Sequence, residues 1–220
     1  MQEVASSGEL AFLAAERVWQ ETVRALAEDQ PWHYFRELHR AGALSALMPE
    51  LSALYDSEKS TAVKALELAA QRQAAAEVRF AVALCPAGQA AEKSLKSLCE
   101  RLKVPGRYRE LAVQSARLLP AWQQPWPLSA ESRLALLCAG DALRRPQRFQ
   151  AIVSACAILA EVNGYDSPDR VGAQLLLDQQ QCQAVDVAAL VEGGLSGRAL
   201  GAAIHRARLL CLAGQEAVRE

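Results

Sequence analysis

Three histidines, six cysteines and 25 acidic residues are the side chains of this chain best suited to grip a metal. His33 and His39 stand six positions apart. They therefore do not share a helix face at i, i+4, the arrangement by which a helix holds zinc with two imidazoles. His205 lies far along the chain. Cys85, Cys99, Cys138, Cys156, Cys182 and Cys211 include no C-x-x-C pair and sit mostly in apolar runs. They read as small core residues in a reducing compartment, without a zinc site. No serine occupies a G-x-S-x-G turn, no Gly-Lys-Ser phosphate loop is present, and no D-x-D stretch offers paired carboxylates for two metals. Gly193-Gly194 reads as a helix stop. The acidic residues are dispersed at spacings that i, i+4 pairing explains. These patterns supply no catalytic residue, no metal set and no cofactor site.

The elements that would position any site are helices. Between Gly8 and Tyr55, Leu13, Val18, Trp19, Val23 and Leu26 recur at the three- and four-residue steps of one buried helix face. Asp29 and Pro31 break that pattern. Phe35, Leu38, Leu44 and Leu47 build a second stripe, Gly42 interrupts it, and Pro49 opens a new segment. Further helices are expected over about 57–73, 74–84, 90–102 and 108–119. Cys85-Pro86-Ala87-Gly88 makes a break, because proline disfavours helix in the residue before it. Pro120–Ser129, PAWQQPWPLS, reads as a stiff linker. Ser129 or Ser132 caps a helix running to about Leu143. A very apolar helix over 147–161, helices over 171–183 and 186–192, and a last helix opened by Ser196 complete the chain.

Composition agrees with an all-α fold. Hydrophobic residues make up 51% of 220, with aromatics at only 5%, so alanine and leucine dominate the core, which favours packed helices over sheets. That length suits one large or two small helical units. Lysine and arginine total 24 against 25 acidic residues, so no global basic field announces nucleic acid. No apolar run approaches the roughly 20 residues of a membrane span. MQEVASSGEL lacks the basic-then-apolar pattern of a secretion signal. The expectation is a cytoplasmic chain with no membrane partner.

Three stretches carry a family likeness. Glu16-Arg17-x-x-x-Glu21 with Leu26, followed by FRELHRAGALSALMPEL, resembles the neck of gammaproteobacterial-type class II tRNA nucleotidyltransferases, the CCA-adding enzymes. In that family the neck follows a catalytic head. Here Met1 lies a few residues upstream, so the head is expected to be missing. Arg79-Phe80-Ala81 through Gly88 stands where those enzymes carry R-F-A-x-L-x-H-D-L-G-K, a metal-dependent phosphohydrolase motif. Cys85 and Pro86 replace its His-Asp pair and Gln89 its lysine. A proline side chain cannot coordinate, so that chemistry is expected to be lost. Asp141-Ala142-Leu143-Arg144-Arg145-Pro146-Gln147-Arg148-Phe149 is similar to the family's D-A-x-R-R-P-x-R-F segment. Val191–Gly201, running into Ala203-Ile204-His205-Arg206-Ala207-Arg208, resembles its tail. At Cys156–Gly164 the chain departs from the family's arginine-rich pattern.

The resemblance implies an all-α neck, body and tail of the poly(A) polymerase/tRNA nucleotidyltransferase C-terminal type. The neck and a degenerate hydrolase-like region would occupy 1–119, the linker 120–129, and body and tail 130–220. It also implies that tRNA or another structured RNA is held by its backbone, with Arg144, Arg145, Arg148, Arg198, Arg206 and Arg208 on phosphates, since guanidinium groups match phosphate geometry. The residues alone equally allow Arg144 and Arg145 to pair with Asp141 or cap carbonyls, and Arg206 and Arg208 to form a solvated helix face. Trp122 and Trp126 could pack between the two halves or stack on bases. The leading expectation is a non-catalytic RNA-binding scaffold. The alternative is a protein-interaction subunit that docks a separate nucleotidyltransferase head, or a second copy of itself, through Leu13, Val18 and Trp19. A third reading makes the chain half of a split nucleotidyltransferase.

Overall fold

A computed structural model of the protein describes residues 15–57, 60–84, 91–125 and 127–214. The helices in order are α1 (Ala15–Ala27), α2 (Trp32–Arg40), α3 (Ala43–Leu47), α4 (Pro49–Ser52), α5 (Thr61–Gln71), α6 (Ala76–Leu84), α7 (Ala91–Arg101) and α8 (Gly106–Leu118). A 3-10 turn, Leu119–Gln123, leads on to α9 (Ala130–Ala139), α10 (Pro146–Val162), α11 (Pro168–Gln183), α12 (Val187–Glu192) and α13 (Gly197–Ala213). No strand occurs among the described residues, and the fold is all-α.

The N-terminal stripes become helices where their punctuation allows. Val18, Thr22 and Leu26 are the buried face of α1, and the Thr22 hydroxyl donates to the Val18 carbonyl at 2.8 Å. Pro31 precedes α2. The second stripe does not run through as one helix. Gly42 takes φ +71, a left-handed conformation that costs glycine nothing and splits α2 from α3. Pro49 then occupies the first turn of α4, where its missing N–H has no intrahelical partner to lose.

Five helix ends share one device. Gln73, Lys103, Asp141, Gly164 and Gly194 all adopt positive φ. In each case the next residue's N–H bonds back to a carbonyl five positions earlier, as in Ala142 to Leu137 at 2.9 Å and Val104 to Cys99 at 2.8 Å. This closes the helix end by satisfying a carbonyl that would otherwise have no partner. Two of these positions are glycine, as sequence rules anticipate, and three are not. The left-handed Asp141 explains why α9 stops at Ala139 instead of reaching Leu143 as the sequence pattern suggests. Ser129 caps α9, its hydroxyl accepting from Ser132 N–H at 3.2 Å.

The core is one cluster of buried side chains from Val18 to Leu212. Helix α10 is its centre and packs on α5, α6, α8 and α11. Phe149, Ile152, Cys156, Ile158 and Leu159 of α10 are all sealed from solvent, consistent with its nearly continuous apolar sequence. Gly140 makes room for this packing: a Cβ there would lie 2.6 Å from Phe149 Cδ2. The stretch read as a linker begins as the 3-10 turn, with Leu119 and Trp122 buried. The Trp122 indole N–H donates to the Pro168 carbonyl at 3.1 Å, so this tryptophan is a packing residue and is not available to stack on a base. Trp126 lies outside the described residues.

Candidate functional site

The arginines named from the sequence divide into two groups. The first lies at the corner between α9 and α10. Glu110 of α8 accepts from Arg145 Nη1 at 3.0 Å and from Arg148 Nη1 at 2.5 Å. Asp141 accepts from Arg148 Nη2 at 3.2 Å and lies 3.5 Å from Arg145 Nε. Arg148 is only 17% exposed and is held by both carboxylates. Arg145 is half exposed, so its pairs are each worth about 1 kcal/mol or less. Arg144 is 82% exposed, 3.9 Å from Asp141. At this corner Arg144 is mostly exposed, Arg145 is half exposed and paired, and Arg148 ties α10 to Glu110 of α8.

The second group is on α13. Helix α13 packs on α9, α11 and α12, and Leu212 is its buried residue. Arg198 and Arg206 are exposed, and neither has a side-chain partner among the described residues. Arg208 is half-buried, with an Nε that is sealed from solvent and without a hydrogen bond. Burial pushes the Cys182 thiol up to about 11, against the smaller opposing pull of the Arg208 charge. Gly194 at φ +82 ends α12 and turns the chain into α13.

The neck residues are surface groups of α1. Glu16 pairs with Lys103, which holds the Glu16 carboxyl below the usual range. Glu21 pairs with Arg24 at 3.2 Å within the helix. Arg17 is exposed without a side-chain partner among the described residues. Val18 is 6% exposed, and the Trp19 ring meets Phe80 and Tyr108 edge-on at centroid distances of 5.3 and 4.8 Å. These two apolar side chains face the chain's own core. Leu13 lies outside the described residues.

Of the hydrolase-like motif, Arg79 and Phe80 have structural work. Arg79 Nη1 donates to the Leu26 and Glu28 carbonyls at 3.0 and 2.7 Å, and its Nε donates to Ala74 at 2.8 Å. One guanidinium thereby satisfies the end of α1 and the turn before α6. Cys85, Pro86, Gly88 and Gln89 lie outside the described residues. Among the described residues no group of three or more His, Cys, Asp or Glu is placed to hold a metal ion, and no helix is long and apolar enough to cross a membrane.

Sequence reasoning missed the buried ion pair of the C-terminal layer. Arg133 Nη1 of α9 donates to Asp178 Oδ1 of α11 at 2.9 Å, and Nη2 donates to the Leu212 carbonyl of α13 at 3.0 Å. Gln174 Nε2 adds a bond to Asp178 at 2.8 Å. The available signal was a lone charge at Arg133 within the apolar stripe of Leu134 and Leu137, and a lone Asp178 beside the leucine run of α11.

Relatives match nearly the whole chain. The chain is 39% identical over 220 residues to a CCA-adding enzyme of Pseudomonas entomophila (strain L48), covering 99% of this chain and 57% of that protein. It is 34% identical over 242 residues to a multifunctional CCA protein of Hahella chejuensis (strain KCTC 2396), covering 95% and 56%. A multifunctional CCA protein of Thioalkalivibrio sulfidiphilus (strain HL-EbGR7) is 32% identical over 243 residues, covering 96% and 59%. The chain therefore spans somewhat more than half the length of the curated relatives it matches. Residues 1–54, the stretch that ends with α4, match the family described as "Probable RNA and SrmB- binding site of polymerase A". No solved structure matches the chain.

Proposed function

We propose that this chain, homologous over nearly its whole length to a C-terminal region of the CCA-adding enzymes, binds tRNA or another structured RNA through the phosphate backbone. The observation that carries the reading is the division among its arginines. Arg148 is consumed by Glu110 and Asp141, whereas Arg17, Arg198 and Arg206 are exposed without side-chain partners among the described residues. Arg144 and Arg145 add a second contact at the α9–α10 corner. Duplex RNA is read chiefly by shape and backbone, and displaced counterions drive such contacts even where net charge is near zero.

The match of residues 1–54 to an RNA-binding family supports adding α1, and Arg17 in particular, to the surface named from the arginine-rich segments. Helices α1 and α13 have no principal packing neighbour in common. The proposed contacts therefore come from separate parts of the fold. The role we assign is that of a binding scaffold: where the related motif carries a His-Asp pair, the chain has Cys85-Pro86, which offers no such metal ligands. In this scaffold the neck and hydrolase-like region would occupy 1–119 and the body and tail 130–220, the two sharing one core through α10.

The test is binding of a tRNA acceptor minihelix over a range of salt. Affinity that falls steeply with salt, and weakens in Arg198→Ala, Arg206→Ala and Arg17→Ala, supports the proposal. An absence of binding at low salt refutes it. A separate head or a second copy as partner is tested by solution mass with and without a nucleotidyltransferase head. Docking through Val18 and Trp19 would require their release from the core.

A further inference from the structure

A cleft of about 590 Å³ opens between the 3-10 turn and the loop before α11, with Trp122, Gln124, Pro125, Tyr165, Asp166 and Arg170 among its lining residues. Its size falls in the range of small-ligand sites, roughly 300–1,000 Å³. The lining is held in place from within. Trp122 is 2% exposed and tied to the Pro168 carbonyl. The Tyr165 hydroxyl accepts from Gln123 Nε2 at 2.5 Å, while its half-buried ring packs on the core. Ser167, also in the lining, sits at φ +50 although it is not glycine.

The polar groups of the lining differ from those at the α9–α10 corner. Gln124, Asp166 and Arg170 are exposed, and none has a side-chain partner among the described residues. One cleft thus combines an anchored aromatic ring, an uncommitted carboxylate, an uncommitted amide and an uncommitted guanidinium. A nucleotide has the matching parts: a base to lie against an aromatic face, ribose hydroxyls to donate to a carboxylate, and a phosphate for a guanidinium. A bare phosphate would be a poorer match, because Asp166 opposes its charge.

We propose that this cleft is a nucleotide-binding site, with the base against Tyr165, the ribose on Asp166 and the phosphate on Arg170. The nucleotide is either free or an unpaired residue of an RNA strand. None of the arginines of the backbone-binding proposal lines this cleft, and the present proposal does not depend on them.

The experiment is an NMR titration of the isotope-labelled full chain with adenosine monophosphate, inorganic phosphate, and a hexa-adenylate strand. The expected result is saturable shifts at the amides of residues 122–124 and 164–170. Arg170→Ala, at an exposed position, should weaken binding by about tenfold or more. Tyr165→Leu should weaken it as well. Saturation by the mononucleotide supports a free ligand, and saturation by the hexamer alone supports an unpaired RNA residue. The proposal is overturned if neither moves these amides, if inorganic phosphate alone reproduces the shifts at equal affinity, or if Arg170→Ala changes nothing. Arg198→Ala and Arg206→Ala should leave mononucleotide binding intact, so the failure of one proposal is distinguishable from the failure of the other.

Discussion

Arg133 and Asp178 meet at 2.9 Å with side-chain exposures of 4% and 0%, and this pair joins α9 to α11 while the same guanidinium holds the end of α13. Breaking such a pair strands a charge in a dry interior. Arg133→Met should destabilise the chain by about 3–5 kcal/mol, and adding Asp178→Leu should recover much of that loss. Urea unfolding of the two variants checks it. A loss under 1 kcal/mol for the single variant would mean that water reaches the pair.

Gly140 and Gly201 should respond in opposite directions to alanine. A Cβ at Gly140 meets two ring carbons of Phe149 at 2.6 and 2.7 Å, so Gly140→Ala should cost about 1–3 kcal/mol. Nothing lies within 4 Å of a Cβ at Gly201 in the exposed face of α13. Gly201→Ala should stabilise by up to about 1 kcal/mol. Thermal melts of both variants compare the two sites directly.

Glu92 should stay ionised in acid. Its carboxylate accepts two bonds from Arg117, at 2.7 and 2.5 Å, and lies 2.7 Å from Lys96. The Arg117 and Lys96 bonds pull its pKa down to about 2. A carboxylate with a depressed folded-state pKa contributes its stabilisation above the unfolded value, and that contribution is lost as pH falls toward about 2. An NMR titration should find Glu92 protonating only near that value, and Arg117→Ala should raise its pKa.

Thiol reactivity should sort by burial. Cys99, Cys156 and Cys182 are buried, and Cys138 and Cys211 are exposed. Burial also pushes Cys99 and Cys182 up to about 11, leaving little thiolate to react at neutral pH. Site-resolved mass spectrometry after brief alkylation should label Cys138 and Cys211 first, with the buried three labelled only on unfolding.

The salt dependence of RNA binding should separate the arginines. Losing a phosphate contact lowers the slope of log K against log salt by about 1, so Arg198→Ala and Arg206→Ala should each do so. Arg148→Ala removes a link between α10 and Glu110 and should lower stability with little change in slope. A loss of slope in Arg148→Ala equal to that in Arg206→Ala would reassign the contact surface.

Helix content was open to reading because its causes are local. The stripe Val18, Thr22 and Leu26, the break at Pro31 and the stop at Gly194 each depend on neighbours within a few residues, and the α10 run of Phe149 to Leu159 announced its burial by composition. The left-handed Gln73 and Lys103 escaped because their conformation is favoured by the helix end they close and not by residue type, whereas Asp141 is of a type that tolerates it. The likeness to the CCA-adding enzymes was also legible, because ordered motifs persist without coordinates.

What the sequence determined alone was the set of helices, their apolar faces and the Cys85-Pro86 replacement. Which arginines stay uncommitted was decided by tertiary structure. Glu110 reaches Arg148 across 38 residues, and Asp178 reaches Arg133 across 45. The cleft beside Tyr165 arises where the 3-10 turn meets a loop 42 residues further on. A helix records its own periodicity in its sequence, whereas the partner of a charge is set by how distant helices pack, and no local pattern encodes that.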